Sequence, residues 1–470
     1  MESKAQFDYN PDIKKTHNLI LGLQFQKAQN FITSNENENN GLWIWLKAQK
    51  CFIENLSKTE TNKTDSTIDI LNLCIINLTK YESNNPYFDY SLADIYLYKS
   101  FLQLNQENYL SALQNFYKAK RHVENLIIDH PSFEASKKQQ LIIQAATNYV
   151  KNYFNTSYKL ETTTLNSIQT SSDNNKIIDR ELKIILPLIS YASNETSSIN
   201  KDHFRWLTND YFKIGPLEAF TYSFVMSKQQ NYNSQLKALS YSDSVEFLNR
   251  FNYLNLMYGT ALLNKMDSNG VLKLNNYILN NKSTNGNAYA NLKCAWFYFI
   301  KPNHEKHKQY ISKINLNKSY KLNIDKQAMQ EISIMNQWKP ELIKSRMLFD
   351  AGEYHESMTI LLQDKTKISS YNENQKLEYA YRLARNYQML QENESALRFY
   401  KIVIASNLDS KYYYPSYSAY NCGMINAKTK NYKLAEFYFK LCLNLDAPIY
   451  KKTIHSKAKM ALENLSNQLK

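Results

Sequence analysis

One short pattern occurs three times between Lys339 and Pro448, and it constrains the fold more than any other feature of the sequence. Each copy has a polar corner after a helical stretch, then an aromatic or small residue, then a small and a bulky residue at helical spacing. The residues that carry it are, copy by copy, Leu348, Gly352, Tyr354, Ser357 and Leu361; Leu383, Ala384, Tyr387, Ala396 and Tyr400; and Gly423, Tyr432, Ala435, Phe439, Cys442 and Pro448. Aligned on their corners, the copies begin near Trp338, Leu377 and Ser416, two equal intervals of 39 residues (377 − 338 and 416 − 377). A regular interval of this length indicates a protein built from stacked repeats.

The pattern resembles the tetratricopeptide repeat, a helix pair of about 34 residues with the consensus W-x2-L-G-x2-Y…A-x3-F…P. Each copy here would carry roughly five extra residues between repeats. The resemblance implies an all-α fold, a right-handed α-α superhelical solenoid of tetratricopeptide-like helix pairs. The segments Lys339–Leu342 and Leu348–Tyr354 resemble those of long bacterial tetratricopeptide proteins whose amino-terminal half is degenerate. The last third of the chain carries the resemblance best, and a weaker match lies at Ser100, Tyr109, Ala112, Phe116 and Ala119.

The strength of the repeat pattern divides the chain into four predicted regions. Residues 1–160 form a degenerate helical region, residues 177–326 an irregular helical middle region, and residues 338–448 the clear repeats. Residues 449–470 form a final helix that caps the stack, because their apolar residues lie on one stripe and the other faces are polar.

Length and composition agree with a helical solenoid. A chain of 470 residues is too long for one compact core, whereas a solenoid grows by adding units. The chain has only 8 Gly and 9 Pro, so the tight turns of a large β-sheet protein are not expected. Its 37 Tyr and 21 Phe supply large side chains for a continuous helical core.

The net charge of +14 raises the question of a nucleic-acid partner. The basic residues are spread through the chain, and the densest groups, 118–122 and 451–459, are interleaved with apolar residues as on a solvated helix face. No nucleic-acid partner is therefore expected.

Cysteines and hydropathy predict neither disulfides nor a membrane span. The five cysteines are scattered, and Cys422 and Cys442 fall on apolar repeat positions, where cysteine serves as a small buried hydrophobe. No apolar run reaches the length of a spanning helix. The polar start predicts a cytoplasmic protein, but Ala5–Gln6 resembles the junction left when a native leader is replaced, so a periplasmic location stays open.

The middle region retains helical periodicity although the motif weakens. The sequence predicts that Pro187 kinks or interrupts a helix over 182–191, and that 247–266 is a first helix with Gly259 at its close-packing position. It also predicts a loop over 161–176. His304 and His307 are spaced like metal ligands, but no third ligand is evident and two lysines flank them, so a solvated loop is predicted.

The first helix of each pair in tetratricopeptide folds lines a concave groove, and the repeat register predicts which side chains face it. These predicted groove positions are Lys339, Arg346 and Phe349; Tyr381, Arg385 and Gln388; and Tyr417, Tyr420, Met424 and Lys428. Tyrosine and arginine dominate the energy of protein interfaces, so the set suits an extended peptide or an acidic segment. The alternative is that these are ordinary solvated positions. Tyr381 and Arg385 stand where the carboxylate clamp of chaperone-tail-binding relatives has Lys and Asn, so that activity is not implied.

The sequence contains neither a G-x-S-x-G elbow nor a glycine-rich phosphate loop, and it predicts no cofactor. We therefore expect a non-enzymatic protein-protein interaction scaffold that binds a peptide or protein segment in its concave groove. The alternative is an enzyme, or a component of an envelope or polysaccharide-handling assembly, with a pocket in the middle region.

Overall fold

The computed structural model of the chain describes most of its residues and places them almost entirely in helices. The described ranges are 7–36, 38–58, 63–81, 84–153, 178–192, 215–241, 245–281, 283–320, 322–406, 412–448 and 450–468. Within them the chain forms helices and no strand, which confirms the all-α prediction. The loop predicted over 161–176 lies outside these ranges.

The helices are numbered in chain order. Those up to residue 280 are α1 Pro11–Leu21, α2 Phe25–Ser34, α3 Leu42–Lys58, α4 Thr64–Leu78, α5 Pro86–Asn105, α6 Tyr109–Asp129, α7 Ser136–Tyr153, α8 Ile178–Ala192, α9 Pro216–Lys228, α10 Tyr232–Tyr241, α11 Val245–Arg250, α12 Tyr253–Asn264 and α13 Asn269–Asn280. Those that follow are α14 Asn287–Ile300, α15 His304–Ser312, α16 Asn323–Ser333, α17 Pro340–Asp350, α18 Tyr354–Gln363, α19 Glu373–Met389, α20 Asn393–Ala405, α21 Tyr414–Lys428, α22 Tyr432–Asn444 and α23 Lys451–Gln468. Short 3-10 helices span Met335–Gln337 and Asp364–Ser370.

The chain divides into two compact units. The first comprises residues 1–229, 237–254 and 281–283, and the second comprises residues 230–236, 255–280 and 284–470. The four-region division inferred from the sequence stays a prediction.

Local sequence signals explain where several helices begin. Asn372 and Gln375 form a capping box at the start of α19, each side chain accepting the other's backbone N–H. Helix α5 begins at Pro86, whose missing N–H costs nothing in the first turn, and the side chain of Asn85 accepts the N–H of Tyr87.

A common turn joins the two helices of successive pairs. The residue two places before the second helix has a left-handed φ, between 56° and 80°, at Leu23, Glu107, Gln230, Gly352, Gln391 and Lys430. In the turns other than that at Gln230, the next residue donates its N–H to a carbonyl near the end of the first helix, as Asn431 does to Asn426 O at 2.8 Å. This is the Schellman-type ending of a helix, which redirects the chain into an antiparallel partner.

The second helices of the three clear repeats begin at Tyr354, Asn393 and Tyr432, again at intervals of 39 residues (393 − 354 and 432 − 393). The first helices begin at Pro340, Glu373 and Tyr414 and are less evenly spaced. The residues that each copy has beyond the 34-residue repeat therefore lie between one helix pair and the next, as predicted from the sequence. The prediction of tetratricopeptide-like helix pairs is confirmed in the described residues.

Small residues allow the paired helices to approach closely. A Cβ at Gly423 would lie 2.4 Å from the Phe439 ring of the partner helix. In the earlier pair the Ser100 hydroxyl donates to Ala112 O at 2.8 Å. In the middle region a Cβ at Gly259 would lie 2.7 Å from Leu274, which agrees with the close-packing position predicted for Gly259.

Three predictions for single elements are corrected. The stretch 247–266 is not one helix, because α11 ends at Arg250 and α12 begins at Tyr253. Helix α8 runs through Pro187, so the predicted interruption is wrong, while the alternative of a kink stays a prediction. His304 and His307 lie in α15 rather than in a solvated loop, and His307 Nδ1 hydrogen-bonds to the carbonyl of Ala295 at 3.0 Å.

The final helix packs its apolar stripe on the last repeat. Ile454 and Ala458 contact the cluster of Ala419 and Cys442, and Leu465 contacts Phe439. All five cysteines are free thiols and four are buried, among them Cys422 and Cys442, whose burial the repeat positions predicted. None of the helices in the described ranges combines the length and apolar character needed to cross a membrane.

Candidate functional site

Positions 39 residues apart are equivalent in the three first helices, α17, α19 and α21. Arg346, Arg385 and Met424 form one such series (385 − 346 and 424 − 385). Their surroundings differ along the series: Arg346 is 7% exposed, Arg385 is half-buried and Met424 is 40% exposed. The face is therefore most open at α21.

The open part of this face carries four predicted groove residues of α21, spaced at 417, 420, 424 and 428. Tyr417 and Tyr420 are half-buried and stack on each other with their ring centroids 5.8 Å apart. Met424 and Lys428 are exposed. This spacing places all four side chains on one stripe of the helix.

Two predicted residues of α19 lie beside that stripe. The guanidinium carbon of Arg385 is 5.2 Å from the Tyr417 ring centroid. The side-chain amide of Gln388 donates to Asn421 Oδ1 at 3.3 Å, and its carbonyl accepts from the Tyr400 hydroxyl at 2.5 Å. We call Arg385 and Gln388, with Tyr417, Tyr420, Met424 and Lys428, the candidate groove.

The outward orientation predicted for three other residues is wrong, because Arg346, Phe349 and Tyr381 are buried. The ring of Tyr381 is 1% exposed and stacks on Tyr414 with a centroid distance of 4.5 Å. Lys339 is half-buried, with its ammonium 5.3 Å from the Tyr371 ring. Only the end of the predicted stripe near α21 is therefore accessible.

Aromatic side chains from outside the first helices cover these buried positions. Tyr413 and Tyr414 arrive from the segment that begins α21, and Trp296 arrives from α14. Tyr450, just before α23, donates its hydroxyl to Gln327 Oε1 at 2.6 Å. The prediction failed because helical register says which way a side chain points but not which distant residues pack over it.

The covered set forms an arginine–tyrosine cluster, Arg346, Tyr381, Arg382, Tyr413 and Tyr414, that sequence reasoning missed. Arg346 pairs with Glu331 at 2.5 Å, and Arg382 pairs with Glu378 at 2.9 Å. Burial alone would lower the pKa of the Arg346 guanidinium, but Glu331 raises that pKa above its usual value. The unbroken run of three tyrosines, 412–414, was the available signal.

A second buried polar group lies in the first unit, and it too was not predicted. Glu181 of α8 accepts hydrogen bonds from Gln49 at 2.6 Å and Lys138 at 2.8 Å, and its other contacts include His17 at 3.0 Å. Lys138 also donates to Asp94 at 2.9 Å. We call His17, Asp94, Lys138 and Glu181 the buried ion network.

The buried ion network is a closed structural element. Its four side chains are at most 5% exposed, and none of them lines the cavity found in the same unit. The lowered pKa of Glu181, which burial would raise, comes from Lys138 and His17.

That cavity has a volume of about 430 Å³ and bears on the alternative of a pocket in the middle region. Its described lining includes Arg180, Gly215, Phe247 and Arg250 but no carboxylate or imidazole. Among the residues that the structure describes, no group of three or more potential ligands could hold a metal ion.

Comparison with known proteins adds little. No protein-family model matches the chain, and no curated protein matches it either. The crystal structure of the APC/C hetero-tetramer Cut9–Hcn1 is similar at a TM-score of 0.30 and 11% identity, covering 97% of this chain and 89% of that one. The TPR domain of P58(IPK) is similar at a TM-score of 0.23 and 10% identity, covering 90% of this chain and 98% of that domain.

Proposed function

We propose that this chain is a non-enzymatic scaffold that binds an extended segment of a partner protein along the candidate groove. The observation that carries the proposal is the stripe on α21, where stacked tyrosines are followed by an exposed methionine and an exposed lysine. Tyrosine and methionine supply contact area at interfaces, and methionine adapts to irregular partner surfaces.

The buried surroundings of the stripe support its role as a rigid platform. Ala419, Cys422 and Ile425, on the other side of α21, are buried against neighbouring helices. The exposed stripe is thus held by a packed core, and little ordering cost arises when a segment docks. The partner is expected to be a protein, and no nucleic acid or cofactor is invoked.

Affinity capture from the native cells, followed by mass spectrometry, tests the proposal. The groove variant is Met424→Ser with Lys428→Glu, since both side chains are exposed and can change without disturbing the core. The matched control is Leu434→Ser with Phe437→Ser, which removes two exposed apolar side chains from α22.

The wild type and the control are expected to recover the same partner, and the groove variant is expected to recover at least fivefold less of it. Equal recovery by all three chains would contradict the proposal. Loss of the partner only in the control would place the interface on α22 instead.

A further inference from the structure

The buried cations among the described residues of the second unit have carboxylate partners. Arg346 pairs with Glu331 and Arg382 with Glu378, and Lys293 lies 3.6 Å from Asp350. Such pairing is expected because a desolvated charge without a counter-charge is costly.

Arg385, which is half-buried in the same unit, has no such partner among the described residues. Its Nη1 donates to the Tyr381 hydroxyl at 3.3 Å, and no carboxylate of a described residue lies within 4 Å. Its Nε is buried and has no acceptor among the described protein atoms. The equivalent arginine one repeat earlier, Arg346, does have an acid, because α16 supplies Glu331.

The rings around Arg385 fix its position. The guanidinium carbon lies 4.8 Å from the Phe349 ring centroid and 5.2 Å from that of Tyr417. A planar guanidinium held between aromatic rings keeps its N–H groups directed at a common edge, which matches the two oxygens of a carboxylate. Two cations lie toward α21, since Lys428 is exposed on the same stripe and the Lys457 ammonium lies 6.0 Å from the Tyr417 ring centroid.

A carboxylate fits this site better than a phosphate. One guanidinium balances the single charge of a carboxylate, whereas phosphorylated segments are recognised by clusters of arginines. Apolar groups flank the site on the α21 side, where Tyr420 and Met424 lie one and two turns from Tyr417.

We infer that Arg385 receives the side-chain carboxylate of an Asp or Glu in the bound segment, with apolar residues of that segment lying along Tyr420 and Met424. The inference rests on the proposed function and specifies the chemistry of its partner. The acid of the partner would pair with Arg385 as Glu331 of this chain pairs with Arg346.

Selection from a random twelve-residue peptide library displayed on phage, with the full chain immobilised, tests this inference. The displayed peptides have no free carboxyl terminus, so every carboxylate that is selected comes from a side chain. The variants are Arg385→Gln, which removes the charge, and Arg385→Lys, which keeps the charge but loses the planar fork. The matched control is Arg398→Gln, an exposed arginine on α20 of the same pair.

The wild type and Arg398→Gln are expected to select peptides with an acid next to aromatic or aliphatic residues. A selected peptide is expected to bind at least tenfold more weakly to Arg385→Gln than to the wild type, and its Glu→Gln form should lose a similar factor on the wild type. Thermal unfolding of each variant establishes that it is folded. Arg385→Lys is the second variant, in which the charge at this position is kept and only the planar fork is lost.

Two results would overturn the inference. A consensus without an acid, or an acidic consensus that Arg385→Gln binds equally well, would show that Arg385 receives no carboxylate while leaving the proposed function in place. The absence of any consensus on the wild type would contradict the proposed function and the inference together.

Discussion

Arg346 and Arg385 occupy equivalent positions of successive repeats but have different environments. This difference distinguishes Arg385 as the candidate binding residue. Arg346 and Arg385 are indistinguishable by repeat register, yet among the described residues only Arg346 has a carboxylate partner. The sequence predicted that Arg385, Tyr417 and Lys428 belong to one face. It could not predict that Arg346 and Tyr381 are covered, because Trp296 and Tyr414 come from other helices.

Lys293 gives a prediction about stability and pH. It is 2% exposed, and burial lowers its pKa to about 8 from 10.5 although Asp350 is near. The folded chain must therefore protonate a desolvated amine below about pH 8. The penalty is fully present there and disappears as the pH rises toward the unfolded value of 10.5.

The substitution Lys293→Met is accordingly expected to raise the free energy of unfolding at pH 7 by about 1–2 kcal/mol, after the loss of the hydrogen bond to Asn264 is subtracted. The gain over the wild type should shrink between pH 7 and pH 9.5, as measured by urea denaturation. A variant less stable than the wild type at pH 7 would show that the lysine is adequately solvated or paired. Lys344→Met, at a less buried position of α17, is the control.

At the scale of elements, the left-handed corner is the feature that defines each helix pair. The clear repeats were predicted because their corners, small residues and bulky residues recur at one interval. In the degenerate amino-terminal region the same backbone turn is built by Leu23 and Glu107, which the repeat consensus does not specify. The turn is set by hydrogen bonds to backbone carbonyls, so it can persist when the side-chain motif does not.

The corner residues predict opposite effects for two substitutions. Lys430 is exposed with a φ of 62°, so Lys430→Gly is expected to stabilise the chain by about 1 kcal/mol because glycine removes the left-handed strain. Gly352 has a φ of 80°, and Gly352→Ala is expected to destabilise by a similar amount. Denaturant titration of both variants measures this. The same sign of change for both would refute the account of the corner.

At the scale of the whole molecule, residues far apart in sequence meet inside each unit. His17 and Glu181 are separated by 164 residues, and Gln327 and Tyr450 by 123. Neither contact follows from helical periodicity, which reports only the face of one helix. The contacts within the arginine–tyrosine cluster and the buried ion network therefore could not be predicted from the sequence, although the tyrosine run 412–414 marked part of the first, whereas the helix pairs and their order could be.

The buried ion network makes the first unit sensitive to acid. The folded-state pKa of Glu181 is lowered from its ordinary value of 4.5, so the stability it contributes is present above pH 4.5 and is lost as the pH falls toward the folded value. Glu181→Gln should destabilise the first unit by roughly 2–4 kcal/mol at pH 7, since Lys138 loses one of its two carboxylates.

Trp45 donates to Asp94 of the same network, so hydrogen exchange of α3 and α5 monitors the first unit. Between pH 5 and pH 3 the wild type is expected to lose protection in these helices, while Glu181→Gln shows a smaller pH dependence. Glu436→Gln, an exposed acid of α22, serves as the control. An unchanged pH dependence in Glu181→Gln would contradict this role.

The proposed function requires a partner segment to lie along the first helices α19 and α21. Hydrogen–deuterium exchange of the full chain, with and without the captured partner, measures this. Binding is expected to slow exchange in 373–389 and 414–428 and to leave the second helices 393–405 and 432–444 unchanged. Slowed exchange in the second helices, with none in α19 and α21, would contradict it.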